Sequence, residues 1–476
     1  MKQKQRIHFI GIGGIGVSAL AKYYLVKGYQ VSGCDLVASE ITQQLSEQGV
    51  IIRIGTPEQT RCFSNVKKTH DRENFTHWVI YSPAVSKDHP ERIAARKEKI
   101  PEFSYPQALG ELTKTHFTIA VSGTHGKSTT TAMIGLLLTR AGIDPTVIVG
   151  TKLKEFGPST NSGSNCRVGK GKYLVIEADE HFASFLNYWP KIIVLTTIEA
   201  DHLDYWKTLK NLLKGFQKYI SHIPQDGTLV ANKDDKNIRK IISSKHNNIS
   251  AAAKKVLWYS LKQKEASTLR RILKVPGQHN VSNALAALAV ARILGIKDVT
   301  SFKALGEFQG TWRRFEIFKL STPKPYTLVS DYGHHPTEVK VTVQAAREKW
   351  PKKKIWLVFQ PHQYQRTYYL WKNFVQVLSR LPVDKLVLTD IYDVAGREET
   401  SIKKKVSSEK LAEETKNYKL KTKNFDILYI PTLSKTESYL KQNLQGGEIV
   451  MVMGAGDIYN LTLALTRKHP KGRIKT

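Results

Sequence analysis

The 476-residue sequence predicts an α/β fold built on mostly parallel sheets and divided among several domains. Three observations carry this. Strand-sized apolar runs alternate with helix-sized amphipathic stretches almost throughout. Each run ends in a polar or glycine-rich turn, and in open parallel sheets those carboxyl ends are where ligands bind. Two of the turns have the composition of phosphate-binding loops.

No apolar run approaches bilayer-spanning length; FTIAV, IIVL and IWLVF are strand-sized, so no membrane insertion is expected. The apolar stretch of the N-terminal MKQKQRIHFIGIGG breaks at its glycines, which predicts no signal peptide. Cys34, Cys62 and Cys166 lie far apart without C-x-x-C spacing, which points to a reducing cytoplasm and no zinc framework. The formal net charge of +32 raises the question of a polyanionic partner. The basic residues are spread along the whole chain, with only short clusters such as Lys352–Lys354 and Lys403–Lys405, and no aromatic-basic RNA signature accompanies them. The charge therefore reads as a lysine-rich solvated surface, and specific nucleic-acid binding is not expected.

The first unit runs from RIHFIGIGG through VSGCD and VIIRIG to HWVIYSPAV and closes near Leu112. FIGIGGIG carries the pattern G-x-G-x-x-G at Gly11, Gly13 and Gly16 between a strand and a helical stretch, a turn suited to a diphosphate. Asp35 ends the second strand, where a ribose-binding carboxylate or a solvated turn residue is expected.

The second unit opens at HFTIAVSGTHGKS. A strand feeds Gly123-Thr-His-Gly-Lys-Ser128, and a helix follows with Met133, Leu136 and Leu137 on one side. Gly123 and Gly126 let the backbone approach phosphates, Lys127 reaches the terminal ones, and the Ser128 hydroxyl suits magnesium. The spacing G-x-x-G-K-S is shorter than the standard loop. KYLVIEADE and IIVLTTIEADH end two further strands, so Glu177 is a candidate magnesium ligand; His202 is a less natural one. His279, Asn280 and Asn283 open an alanine/leucine-rich helix, as helix caps or as amide donors to adenine. Arg313 and Arg314 follow at the junction with the third unit, whose runs are YTLVSD, KIWLVFQ, DKLVLTD, DILYIP and EIVMVMGAGD.

GTHGKSTTT, EADE…ASFL, IEADH, GQHN…N, RRFE, DYGHHPTEV and FQPHQYQRT occur in an order that resembles the Mur ligase superfamily, over nearly the whole chain. The resemblance implies three domains: residues 1–113, Rossmann-like, for a UDP-sugar; 114–314, a P-loop ATPase; and 315–476, Rossmann-like, for an amino acid. It implies a cytoplasmic enzyme that uses ATP and Mg²⁺ to join L-alanine to the lactyl carboxylate of UDP-N-acetylmuramate through an acyl phosphate. It places Gly123, Thr124, His125, Gly126, Lys127, Ser128, Thr129, Asn280, Arg314 and Asp331 at ATP. Ser128, Glu177 and His202 hold metal, and Lys127, Glu177, His202 and Arg314 are the catalytic set. Gly11, Gly13, Gly14, Gly16, Asp35 and Ser82 contact the UDP-sugar, and Tyr332, His334, His362 and Arg366 the amino acid.

Five departures from the superfamily pattern stand out: Ser128 replaces a threonine, Thr197 an asparagine, Gln363 an arginine, Gly55-Thr56 a Gly-His, and the turn at 395–398 reads AGRE. The competing classes are a nicotinamide oxidoreductase, which leaves GTHGKS unexplained, and a nucleic-acid-stimulated P-loop ATPase. Within the superfamily, the competitor is a ligase for another amino acid or a peptide.

Overall fold

The computed structural model describes residues 5–57, 76–157, 163–243, 255–322, 324–394, 399–419 and 425–467. Cys62 and the 395–398 turn lie outside them. The chain divides into two compact units: one comprises Met1–Ile198, Leu213–Ser260 and Ala286–Leu305, the other Glu199–Leu212, Leu261–Leu285 and Gly306–Thr476.

The first unit contains two sheets. In the N-terminal one, β1 (Arg6–Ile10), β2 (Gln30–Asp35), β3 (Ile51–Ile54), β4 (Trp78–Tyr81) and β5 (Glu102–Ser104) form a parallel sheet in the order β3-β2-β1-β4-β5. The order reverses at β1 and β4, so the glycine turn after β1 lies at a topological switch point, beside Ser82 at the end of β4.

The second sheet holds β6 (Phe117–Ser122), β7 (Thr146–Leu153), β8 (Ser164–Arg167), β9 (Tyr173–Ala178), β10 (Ile192–Leu195), β11 (Thr228–Asn232) and β12 (Lys255–Tyr259), ordered β12-β11-β10-β6-β9-β7-β8. Only the β7–β8 pair is antiparallel. β10 and β11 are buried along their whole length, the pattern of parallel strands covered on both faces. Since β6 lies between β9 and β10, the loops after those two strands flank the loop after β6. The following helix, Lys127–Arg140, is buried from Thr129 to Leu138. The sequence suggests one apolar side; the small threonines instead let the helix sink in on all faces.

The other unit carries β13 (Glu316–Leu320), β14 (Tyr326–Asp331), β15 (Ile355–Phe359), β16 (Lys385–Leu388), β17 (Asp426–Tyr429) and β18 (Ile449–Met453), ordered β13-β14-β18-β15-β16-β17. All pairs are parallel except β13–β14. Separate apolar clusters cover its two faces, one around Phe359, Phe374 and Met451, the other around Trp356, Val450 and Leu461. Among the described residues no helix is long and apolar enough to cross a membrane.

Candidate active site

The loop after β6 is set by backbone conformation. Gly123 has φ +135°, and a Cβ there would lie 2.3 Å from Thr196 Oγ1 and 2.7 Å from the Thr197 carbonyl, so only glycine fits. Gly126 is left-handed, with φ 83°, and caps the helix that starts at Lys127. The end of β10 clamps this turn. The Thr124 and His125 N–H groups donate to the Thr197 carbonyl (2.7 Å) and hydroxyl (3.1 Å), and the Thr196 hydroxyl donates to the His125 carbonyl at 2.6 Å. Thr197, a departure in the sequence pattern, thus fastens the loop.

The Lys127 ammonium curls over the turn, donating to the Gly123 carbonyl at 2.7 Å and to Glu180 at 2.7 Å, with Asp179 at 3.4 Å. Burial alone would lower its pKa; Glu180 and Asp179 outweigh that and raise it, so the side chain stays cationic. Glu177, at the end of β9, accepts the Gly150 N–H at 2.9 Å and is hydrogen-bonded to the Ser128 side chain. Burial holds its carboxyl above the usual range against those two bonds. A half-buried carboxylate and a hydroxyl held together form an all-oxygen pair of the kind Mg²⁺ takes.

The glycine turn departs from expectation in one respect. The N–H groups of Gly11 and Ile12 donate to the Cys34 carbonyl (2.9 and 3.1 Å), that of Gly14 to the Gly11 carbonyl (3.2 Å), and that of Gly13 to Asp35 at 2.7 Å. The glycines therefore shape the turn rather than expose donors. An anion there would meet the first-turn N–H groups of the helix Ile15–Val26, including Gly16. Asp35 supports the turn, accepting Leu36 N–H at 2.8 Å as well. The Tyr105 ring packs against Gly16, within 3.0 Å of where a Cβ would sit.

In the second unit, Glu199–Leu212 and the ends of β14, β15 and β18 supply the remaining residues. Asp331 accepts the Phe315 N–H (2.8 Å) and Gly333 N–H (2.7 Å), and burial raises its carboxyl. Arg314 lies 3.7 Å from Glu338 and over the Tyr332 ring. Its neighbour Arg313 is structural: buried, donating to the Gly454 carbonyl at 2.6 Å between Tyr332 and Tyr459. Asn280 sits within the helix Gln278–Ile293, donates to the Pro276 carbonyl at 2.7 Å and is 3.4 Å from Asn283.

His334 and His362 have ring centroids 5.5 Å apart, and His362 stacks on Tyr392. Burial pushes their pKa values down to about 3 and about 2, so both are neutral imidazoles near pH 7. Arg366, expected to hold an amino acid's carboxylate, is paired with Asp201, at 2.8 Å from Nε and 3.4 Å from Nη2. Its Nη1 donates to Gln363 at 3.1 Å. Burial alone would raise the Asp201 carboxyl; Arg366, with His202 and His335, holds it well below the usual range. His202 follows in a left-handed conformation, φ 51° and ψ 40°, capping the helix Leu203–Trp206.

Three family models tile this chain: "Mur ligase family, catalytic domain" at residues 6–117, "Mur ligase middle domain" at 121–291 and "Mur ligase, glutamate ligase domain" at 313–456. The chain belongs to the Mur ligase family. Among Mur ligases it is 37% identical to a UDP-N-acetylmuramate–L-alanine ligase of Acetivibrio thermocellus, over 96% of this chain and 94% of that protein. It is also 37% identical to the enzyme of the same name from Clostridium tetani, over 96% of this chain and 97% of that one. The crystal structure of UDP-N-acetylmuramate-alanine ligase from Thermotoga maritima superposes with a TM-score of 0.74 at 26% identity, covering 98% of this chain and 99% of that one. The fold is that of a three-domain Mur ligase, α/β with parallel-rich sheets.

Reading this Mur ligase by sequence alone singles out Lys127 and Glu177 but leaves Glu180 among several acidic residues and gives Asp201 no role. Glu180 is distinguished by burial and Asp201 by its arginine, neither of which has a local signature.

Proposed function

We propose that this protein is an ATP-dependent carboxylate–amine ligase that joins L-alanine to the lactyl carboxylate of UDP-N-acetylmuramate, in the cytoplasmic synthesis of peptidoglycan precursors. The observation that carries the reading is 37% identity, over nearly the full length of both chains, to proteins named for that reaction.

The chemistry asks for two displacements. A carboxylate oxygen attacks the γ-phosphorus of ATP, forming an acyl phosphate and releasing ADP. The amine of alanine then attacks the acyl carbon, loses a proton, and expels phosphate as the amide forms. Phosphoryl transfer needs positioning and charge neutralisation more than covalent help. In this reading the backbone of Gly123–Thr129 cradles the phosphates, and Lys127 exchanges Glu180 for the γ-phosphate. Ser128, Glu177 and His202 would hold Mg²⁺, which would supply charge neutralisation for the phosphoryl transfer. The raised Glu177 carboxyl suits this, since a cation would restore its charged form. Asn280, Arg314 and Asp331 serve the nucleotide. The turn at Gly11–Gly16, with Asp35 and Ser82, receives the UDP-sugar, and Tyr332, His334, His362 and Arg366 receive the amino acid. Residues 1–113, 114–314 and 315–476 are the corresponding domains.

The test is phosphate release from ATP with UDP-N-acetylmuramate present and each amino acid added in turn. Release that needs both the sugar nucleotide and L-alanine supports the reading. If glycine or L-serine outperforms L-alanine, the amino-acid assignment falls; if release ignores the sugar nucleotide, the ligase reading falls.

A further inference from the structure

We propose that His8, Cys34 and Glu91 form a site in the N-terminal sheet for a single thiophilic divalent cation, and that Zn²⁺ is the ion their chemistry fits. None of the three belongs to the residues read as holding nucleotide, Mg²⁺, sugar or amino acid.

The ligands come from three separate elements. His8 lies in β1 and Cys34 in β2, and the parallel register sets His8 against Ser32 and Ile10 against Cys34. Those four side chains therefore share one face of the sheet. Glu91 stands in the first turn of the helix Pro90–Lys97, whose Ala95 belongs to the same apolar cluster as Ile10, Cys34 and Val79. Glu91 Oε2 lies 3.0 Å from His8 Nε2 and 3.1 Å from Cys34 Sγ. All three residues are buried, His8 and Cys34 at 3% exposure and Glu91 at 2%. The cysteine spacing announces none of this, because positions 8, 34 and 91 meet only through the strand register and the helix that follows β4.

A nitrogen, a sulfur and a carboxylate oxygen are a ligand set of Zn²⁺, whereas Mg²⁺ takes oxygens. Around a tetrahedral zinc such atoms stand roughly 3.3–3.6 Å apart, so the triad needs to open by only a few tenths of an ångström. Charge balances as well: a Cys34 thiolate and a Glu91 carboxylate together neutralise the ion, and a loaded site adds no net charge to a buried face. On binding, the thiol proton leaves to solvent and the sulfur lone pair forms the bond to the metal. A thiol is a weak hydrogen-bond donor to a buried carboxylate, but a thiolate is a strong, soft ligand. Ser32 supplies the outer contact. Its hydroxyl oxygen lies 2.9 Å from His8 Nδ1, and accepting the Nδ1–H leaves the Nε2 lone pair for the metal. Three protein ligands leave the fourth tetrahedral position to water.

The test loads the metal while the chain folds. The full chain is expressed in minimal medium containing Zn²⁺ or Co²⁺, passed through a weak chelator, and examined by mass spectrometry for metal content and by absorption for a thiolate-to-cobalt charge-transfer band. The parent should retain about one metal per chain and show the band, which ions on the oxygen ligands of the nucleotide site do not produce. Cys34→Ser should lose the band and at least about tenfold in retained metal, while Cys62→Ser and Cys166→Ser keep both. Ser32→Ala, a mild change outside the ligands, should keep the band and weaken Zn²⁺ binding by about tenfold in chelator competition. A parent chain without the band overturns the proposal and leaves the triad a hydrogen-bonded network only, a result that needs no variant to fold. A band that persists in Cys34→Ser overturns it too, by giving the thiolate to another cysteine.

Discussion

Lys127 and Glu180 form an ion pair at 2.7 Å, with Glu180 1% exposed and the lysine cupped over the carbonyl of Gly123. The ammonium proposed to meet the γ-phosphate is held by this carboxylate in the absence of nucleotide.

That pairing predicts linkage between stability and nucleotide. Glu180→Gln leaves the Lys127 charge without its main partner and lowers stability by about 1–3 kcal/mol in the absence of nucleotide. Saturating Mg·ATP supplies a substitute anion, so thermal melts should show a larger ATP-induced rise in Tm for the variant than for the parent. Lys127→Ala should abolish turnover while changing the affinity for UDP-N-acetylmuramate less than about threefold.

Ser128 and Glu177 share a hydrogen bond, and both are read as metal ligands. Ser128→Ala should raise the Mg²⁺ requirement of turnover by about tenfold, whereas Ser128→Thr keeps the hydroxyl and should stay near the parent. Turnover measured against free Mg²⁺ at saturating ATP distinguishes them; equal losses in both variants would remove Ser128 from the metal site.

Gly123→Ala meets the Thr196 hydroxyl and the Thr197 carbonyl in a backbone conformation that L residues rarely adopt. The expected cost is about 1–3 kcal/mol of stability together with loss of ATP binding, since the loop must move. Chemical denaturation and nucleotide titration measure the two effects.

Burial depresses three histidines, His279 to about 4, His334 to about 3 and His362 to about 2, from an ordinary 6.5. The unfolded chain then binds more protons than the folded one below pH 6.5. The stability these groups contribute is complete above that value and is lost as pH falls toward their folded values. Each contributes a slope of up to about 1.4 kcal/mol per pH unit within that window. Unfolding free energy should therefore fall between pH 6.5 and 4.5, and replacing His362 by Gln should flatten the slope.

The strand–loop–helix at GTHGKS and the turn at GIGGIG were legible because strand, glycine and lysine lie within a few residues of each other. The order of β1 to β5, which puts Ser82 beside Gly11, is a matter of topology. The pairing of Arg366 with Asp201 joins residues 165 positions apart, and no local pattern announces it. The spent donors of Gly11 and Gly13 escaped notice for a related reason. A glycine pattern records where backbone must turn tightly, while Asp35 and the Cys34 carbonyl decide where its N–H groups go.

The central claim is a carboxylate activated by phosphorylation, and oxygen isotopes test it most directly. UDP-N-acetylmuramate labelled with ¹⁸O in the lactyl carboxylate should transfer one label to the phosphate released with L-alanine, because the oxygen that attacks the γ-phosphorus leaves with it. Unlabelled phosphate, or label recovered in AMP with release of pyrophosphate, would contradict the account.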